Sequence, residues 1–571
     1  MTESSHEQQP KRGFSRRSFL RTTAVATGAA GAAQLASTNT SQAQSSLRGK
    51  PKPVEMKPRP LPFVHGVASG DPLPTAVVIW TRVTPEPDAK PGSGKGAPTR
   101  LKWEVATDFD FKNIVKQGEV TSDAKDDHTI HVDVQGLDSS AVYYYRFTVV
   151  AGQFKDAVSP VGRTKTAPKA GAKTDRQRWA IASCANWESG FFSAYADLAE
   201  RGWKNDIDLT VFLGDYIYEY KRYEYAGNGP VRLHEPPHET VTLADYRTRY
   251  GHHRTDPALA NAHASMPWIV VWDDHEVADN NWREGAYNHQ PNEGNFTVRR
   301  DAAMKAYFEW MPVRPTETSE KGRLYRNFTF GDLVELTIMD LRTYRDIEYS
   351  FATNPRTDPN RTMLGSEQYK WVERTIQESN TKWNALGNSV MFSPLYLGAV
   401  YADPQTRPIA EALSSNIPVI NAPLYEFPLN GDQWDGYDRE RRSLINLLGS
   451  HKKNPIFLTG DIHTEWAHNV EHDGKKIGCE VVCSSITAPN AAESVGIPAG
   501  SQVYNVARHY LHAANPKLRH VALDTHGYAV VTIRPEEVDM EWMRVDNILA
   551  PVSPVRSKVA LTWRKGKGFT S

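Results

Sequence analysis

Cysteine is scarce: the 571 residues hold three, Cys184, Cys479 and Cys483. So few exclude a fold stapled by disulfides, and stability must come from core packing, with metals as a further source. A surplus of charge is lacking too, because 67 Lys and Arg balance 67 Asp and Glu. That balance gives no support to a nucleic-acid groove, although a local basic pocket stays open. No stretch is long and apolar enough for a permanent membrane anchor. Three catalytic engines are also missing. There is no Gly-x-Ser-x-Gly elbow and no Gly-x-x-x-x-Gly-Lys-Ser/Thr phosphate loop, and His275-Glu276 runs on into Val277-Ala278-Asp279 instead of a second zinc histidine. No repeat of fixed period occurs.

What is present is a large globular chain. An apolar fraction of 39%, with 15 Trp and 24 Tyr, excludes disorder, and the length predicts two domains. The first residues read as an address. Ser15-Arg16-Arg17-Ser18-Phe19-Leu20 precedes a mild Ala/Gly/Thr run from Thr22 to Leu35, and Ser41-Gln42-Ala43 offers small residues for cleavage. Together they resemble a twin-arginine signal peptide over 1–43. The resemblance implies the twin-arginine translocation machinery as a partner and a final place in the periplasm, cell wall or medium.

Residues 56–167 then form a string of short β-type runs, such as Ala76–Thr81, Leu101–Val105, His128–Val134 and Val142–Val150. Their spacing, without helical patterns between them, predicts a small all-β sandwich of immunoglobulin or fibronectin type. Thr166 to Asp175 reads as a linker. From 176 to 571 buried apolar runs alternate with helical stretches, among them Ala194–Arg201, Val298–Trp310 and Gln368–Glu378. This predicts a layered α/β domain. Cys479 and Cys483 read as buried apolar residues.

The chemistry gathers where the strands of that domain end, which is where α/β sheets bind ligands. One run ends in Ser183-Cys184 and a second in Gly214-Asp215-Tyr216-Ile217-Tyr218. A third ends in Asp273-Asp274-His275-Glu276 and a later one in Gly460-Asp461-Ile462-His463. One Gly-Asp after a strand is commonly a turn. Four such ends in one domain demand cations, because like charges buried together are prohibitive without them.

The order Gly-Asp-x-x-Tyr, His-Glu, Gly-x-x-His resembles the calcineurin-like metallophosphoesterases, purple acid phosphatases in particular. Three departures are informative: Cys184 stands for an aspartate, Asp274 for an asparagine and Asp461 for a histidine. With Phe63-Val64-His65-Gly66-Val67-Ala68-Ser69-Gly70-Asp71-Pro72, Trp272–Glu276, Asp340-Leu341-Arg342 and Trp434-Asp435-Gly436-Tyr437, the chain looks like the PhoD-type alkaline phosphatase family over nearly its whole length after the signal.

The resemblance implies an Fe(III) and Ca(II) cluster that hydrolyses phosphate esters. Thiolate from Cys184 and phenolate from Tyr218 suit a highly charged iron, and His463 completes that site. Asp215, read as one helical turn before Tyr218, is the expected bridge and the residue on which catalysis depends. Asp273 or Asp274, with Asp461, supplies an oxygen-rich site that favours calcium over zinc. Asn281, or Asn280, either adds an amide oxygen or caps its loop. His275 is read as a supporting or acid–base group, with coordination as the alternative. Arg342 is the first choice to clamp phosphate, with Arg345, Arg300 and Arg299 behind it. Asn388 reads as a turn residue, and Glu219 as either a support of the site or a helix start. The expected protein is a monomer. Two other readings remain: a phosphodiesterase or phospholipase of the same fold, and a cell-surface binding protein whose acidic ends only hold calcium.

Overall fold

Leu209-Thr210-Val211-Phe212-Leu213 is apolar without alternation, the pattern of a strand covered on both faces, and every one of its residues is buried. In the computed structural model, which describes residues 59–314, 322–348, 356–414, 428 and 430–570, this strand lies inside a sheet of ten. It pairs in parallel with Gln177–Ala182 on one side and Pro267–Val271 on the other. A second sheet of seven strands contains Val334–Ile338, Trp383–Asn388 and Pro455–Thr459, again in parallel. The two sheets share one core, in which Trp179, Ile181, Val211 and Val271 meet Leu336, Ala385, Leu458 and Val481. The expected signal peptide, 1–43, lies outside the described residues, as do 56–58 of the first expected domain.

Helices cover the outer faces. Ser193–Trp203, Phe296–Trp310 and Gly365–Glu378 fall where the sequence places helices, each beginning one to three residues earlier than expected. Gly365–Glu378 and Asp438–Ser450 pack a separate core against the second sheet through Val372, Ile376, Leu444 and Leu448. Pro257–Ser265 has its start fixed twice: proline occupies the first turn, and Asp256 accepts the amides of Ala258 and Leu259 at 2.8 and 2.9 Å.

The N-terminal strands form where expected, but not as a separate sandwich. Arg100–Ala106, Ile114–Thr121, Val142–Val149 and Gly162–Lys165 make a sheet of their own. It faces Val67–Leu73, Ala76–Arg82 and Thr129–Gln135 across a core that includes Val77, Ile79, Val105 and Phe147. Those last three strands belong to the ten-stranded sheet, because Ser69 and Gly70 pair with Pro267 and Trp268. The Gly-Asp-Pro segment, an irregularity inside Val67–Leu73, explains the join. A Cβ on Gly70 would lie 2.1 Å from the Pro312 carbonyl oxygen, so only glycine lets the backbones meet. Asp71 then holds Arg326 at 2.7 Å.

The parallel strands end along one edge of the molecule. Ser183-Cys184, Gly214-Asp215 and Asp273-Asp274 follow three strands of the first sheet; Asp340-Leu341-Arg342 and Gly460-Asp461 follow two of the second.

Candidate metal centre and active site

The turns at this edge are unusual backbone. Cys184, Asp215, Asn280, Asp461 and His463 all have positive φ, between 52° and 62°. Such left-handed conformations cost on the order of 1 kcal/mol each outside glycine and persist only where surroundings enforce them. Glu276 does much of the enforcing. Its buried carboxylate accepts the backbone N–H of Asp215 and of Asp273 at 2.9 Å each, and of Tyr216 at 2.7 Å. Burial, followed by the charge of Asp215, pushes Glu276 up to about 8 against these three amides. Gly214 lets two strand ends close together, since a Cβ there would lie 2.4 Å from Asp273 Cβ. The expected helical turn from Asp215 to Tyr218 is not formed; the segment is irregular. Tyr218 still reaches Asp215, and its hydroxyl donates to Oδ2 at 2.9 Å.

Around Asp215 three donors converge. Cys184, Asp215 and His463 each place a ligand atom within 4.8 Å of the others, and the Tyr218 hydroxyl lies 3.2 Å from His463 Nε2. His463 Nδ1 donates to the Pro489 carbonyl at 2.8 Å. That bond assigns the proton to Nδ1 and leaves the Nε2 lone pair turned inward, as a metal requires. Burial and then the charge of Asp215 raise the Cys184 thiol and the Tyr218 phenol well above their ordinary values. Neither gives up its proton here without a cation.

Asp273, Asp274 and Asp461 form a second group within the same span. Arg342 is buried among them: it binds both oxygens of Asp273 at 2.6 and 2.8 Å, and Asp461 at 3.2 Å. Its remaining nitrogen meets Asp432 at 2.7 Å. Arg345 also holds Asp432, at 2.8 Å, and donates to the Asn281 carbonyl at 2.9 Å. Gln433 donates to Asp461 at 2.9 Å. Burial still raises Asp273 well above the usual carboxylate range: Arg342 opposes the rise, and Asp274 and Asp461 add to it. The Asn280 backbone donates to Asp274 at 2.6 Å.

The donor set fits metal. No residue among Asp215, Asp273, Asp274 and Asp461 is more than 1% exposed, and the neighbouring arginines do not relieve Asp273 fully. Asp215 Oδ1 and Asn281 Oδ1 are buried with no hydrogen-bond partner among the described residues. Buried polar atoms in that state cost about 1–3 kcal/mol each. A cation removes the penalty of several at once.

His275 completes the arrangement. Its Nδ1 lies 2.7 Å from Glu219 Oε2, and a ring nitrogen falls within 4.8 Å of carboxylate oxygens of Asp215 and Asp274. Burial disfavours its charge, but Asp274, Glu219 and Asp215 together hold its pKa well above the ordinary value.

The structure thus brings together Cys184, Asp215, Tyr218, Asp273, Asp274, His275, Asp461 and His463, with Asn281 beside them. It corrects the arginines. Arg342 and Arg345 are fully buried arms of the carboxylate cluster rather than open clamps: Arg342 meets Asp273, Asp432 and Asp461, and Arg345 meets Asp432 and the Asn281 carbonyl. Arg300 does not reach the cluster; it bonds Asp301 and the Arg283 carbonyl near the surface. Arg299 is spent on Glu239 and Glu293. Asn388 ends a strand and is satisfied by Thr459 and Trp434, and Glu219 starts no helix. Sequence reasoning missed Asp432 and Gln433 as cluster members and Glu276 as a backbone clamp. The one signal for the first two was their place directly before Trp434-Asp435-Gly436-Tyr437.

Comparison with known proteins shows the family. The family model for PhoD-like phosphatase matches residues 179–542, and the one for its N-terminal domain matches 48–168. Alkaline phosphatase D of Bacillus subtilis (strain 168) is 35% identical over 523 residues, 88% of this chain and 81% of that protein. A solved structure of PhoD superposes with a TM-score of 0.75 and 33% identity, covering 89% of this chain and 92% of that one. A purple acid phosphatase from yellow lupin seeds reaches a TM-score of 0.48 at 12% identity, over 87% of this chain and 73% of that one.

Proposed function

The chain belongs to the PhoD-like phosphatase family and is a phosphoric ester hydrolase; from that premise we propose that it is an exported alkaline phosphatase working at an iron and calcium centre. One observation carries the metal reading. Thiol, phenol, imidazole and carboxylate meet at Cys184, Tyr218, His463 and Asp215 in a buried site where thiol and phenol cannot ionise unaided. A purely structural calcium site has no use for thiolate and phenolate, whereas ferric iron binds both.

Fe(III) fits those four residues. Ca(II) fits Asp274 and Asp461, with Asn281 Oδ1 as a further oxygen, while Asp273 is committed to Arg342 at both of its oxygens. Bound there, the metals would polarise the phosphate and activate water. The protein's own groups do the rest. Asp215 links the donor groups, since it shares one with Cys184 and His463 and another with Asp274 and His275, and Asp274 belongs in turn to the group of Asp273 and Asp461. Arg342 and Arg345 hold the carboxylates apart from one another. His275 faces the site through Nε2, where it serves as proton donor to the departing ester oxygen.

Turnover of a chromogenic phosphomonoester and a chromogenic diester, measured side by side, tests the activity. Hydrolysis of the monoester at alkaline pH is expected. Activity on the diester alone would replace the reading with a phosphodiesterase, and activity on neither would leave a binding protein. Export by the twin-arginine route rests on Arg16-Arg17. Replacing both by lysine is expected to strand precursor in the cytoplasm, and undiminished export would remove that part of the proposal.

A further inference from the structure

Seven arginines among the described residues are at most 1% exposed. Five of them, Arg82, Arg232, Arg299, Arg342 and Arg345, meet a carboxylate. Arg249 instead meets backbone carbonyls, among them those of Glu235, Tyr220 and Pro236 at 2.8 to 3.1 Å. Arg254, the last residue of the helix Leu243–Arg254, has neither kind of neighbour in sufficient supply. It forms no ion pair among the described residues. Its Nε and Nη1 lack a hydrogen-bond partner there, and Nη2 has only the Trp310 carbonyl, at 3.5 Å. The acid closest in sequence, Asp256, is spent on Arg232 and on the amides of Ala258 and Leu259. The ring of Trp80 lies 4.2 Å from the guanidinium carbon, and such a cation–π contact offsets only part of the cost of burying a charge.

The groups around Arg254 can donate, and none brings a negative charge. The hydroxyls of Tyr145, on Val142–Val149, and Ser69, on Val67–Leu73, lie side by side. Neither makes a well-formed hydrogen bond among the described residues. Burial raises the Tyr145 phenol above its ordinary value against the pull of Ser69 and Arg254, so it stays a neutral donor. The Tyr216 hydroxyl leans on the guanidinium as well, but it is shared with His263 Nε2 at 3.0 Å. Nδ1 of His65 is buried without a partner, its ring 5.0 Å from that of Trp310. Burial, and then the charges of Arg82, Arg254 and Arg59, hold that imidazole well below its ordinary value and therefore neutral. Arg59 adds a second positive charge, which Asp256 answers. Water would satisfy the hydroxyls, but it would leave the charge of Arg254 uncompensated in a dry interior.

We propose that Arg254, with the hydroxyls of Tyr145 and Ser69, binds one small monovalent anion of the size of chloride. A single unanswered guanidinium calls for a single negative charge, and phosphate carries more than that at neutral pH. The donors come from three segments: the strand that joins the N-terminal region to the large sheet, the sheet facing it, and a helix of the catalytic region. The anion therefore pins the N-terminal sheet to the body of the molecule. This site makes no use of the metal centre.

The test uses the full protein with its metals, exchanged into sodium gluconate, whose anion is too large for the site. Its thermal midpoint is measured in mixtures of gluconate and chloride at one ionic strength. The midpoint should rise by a few degrees and then level off, the scale expected of a ligand at about a hundred times its dissociation constant. Crystals soaked in sodium bromide should show an anomalous peak within hydrogen-bond reach of Arg254 and Tyr145. Arg254→Met keeps the length of the side chain and removes the charge. Its midpoint should not respond to chloride, and in gluconate it should match or exceed that of the wild type, because no buried charge remains to be desolvated. Tyr145→Phe serves if the methionine variant does not fold, and it should need roughly tenfold more chloride for half the shift. A wild-type midpoint equal in gluconate and chloride would overturn the proposal. So would a chloride shift that Arg254→Met retains in full, or bromide found on the surface and not at Arg254.

Discussion

Two buried carboxylates, Glu465 and Asp215, sit in the same fold under opposite terms. Glu465 begins a strand of the second sheet and reaches across to the first. Its Oε1 accepts from Thr525 and Arg544 at 2.9 Å each, and its Oε2 accepts from His520 at 3.0 Å and again from Arg544. Nothing on it is left to satisfy, and against the cost of burial these partners hold its carboxyl below the usual range. Asp215 has one hydrogen-bonded oxygen and one with no partner among the described residues. It also stands in a strained backbone conformation, with φ 56°. Completeness marks a pin between sheets; incompleteness, maintained at a cost in strain and desolvation, marks a place reserved for something else.

The comparison can be broken by substitution. Asp215→Asn should lower kcat on the order of a thousandfold, which corresponds to about 4 kcal/mol, while the thermal midpoint stays within a few degrees. Near-normal turnover in the folded variant would end the catalytic assignment. Glu465→Gln should do the reverse. It should cost about 3 kcal/mol of stability, as expected when one partner of a buried ion pair is lost, with kcat retained in the folded fraction. The pH dependence of this loss has a definite sign. The folded carboxyl titrates below its ordinary 4.5, so the unfolded chain binds the proton first as pH falls. The advantage of the wild type is therefore full above that value and fades as pH drops through the folded pKa. Urea titrations at neutral and acid pH measure it, and a gap that widened in acid would refute the account. Gln433→Ala removes the hydrogen bond that steadies Asp461 and leaves each proposed ligand in place. Metal retention during dialysis should weaken roughly tenfold, the lower end for groups that orient ligands. Unchanged retention would show that Asp461 is held well enough by Arg342.

Much of this was legible in the sequence, for a physical reason. Buried strands without alternation announce themselves, and an α/β sheet places ligands beyond their carboxyl ends. Cys184, Asp215, Asp273 and Asp274 could therefore be placed at the ends of Leu209–Leu213 and its two neighbours, and Asp461 and His463 at the end of Pro455–Thr459 in the second sheet. What stayed hidden depends on pairings between distant positions. Arg342 read as a free cation because Asp432 lies 90 residues away, and nothing local announces the meeting. The three-residue spacing from Asp215 to Tyr218 suits a helical turn, and only the left-handed backbone at Asp215 shows that a loop delivers the same contact. In the N-terminal region, alternation predicts each strand but not its neighbour. The parallel join of Ser69 to Pro267 turns an expected separate sandwich into an extension of the large sheet.

The central claim is that Cys184 and Tyr218 together hold ferric iron, and the visible absorption spectrum of protein matured through its native export route tests it most directly. Phenolate and thiolate on iron should give a charge-transfer band, with iron found by elemental analysis of the same sample. Tyr218→Phe and Cys184→Ser should each shift or bleach the band. Cys483→Ser should leave it unchanged, because that thiol is buried against Ser183 at 3.5 Å and belongs to none of the three groups that gather at the site. A colourless, fully active enzyme carrying only zinc or calcium would contradict the claim.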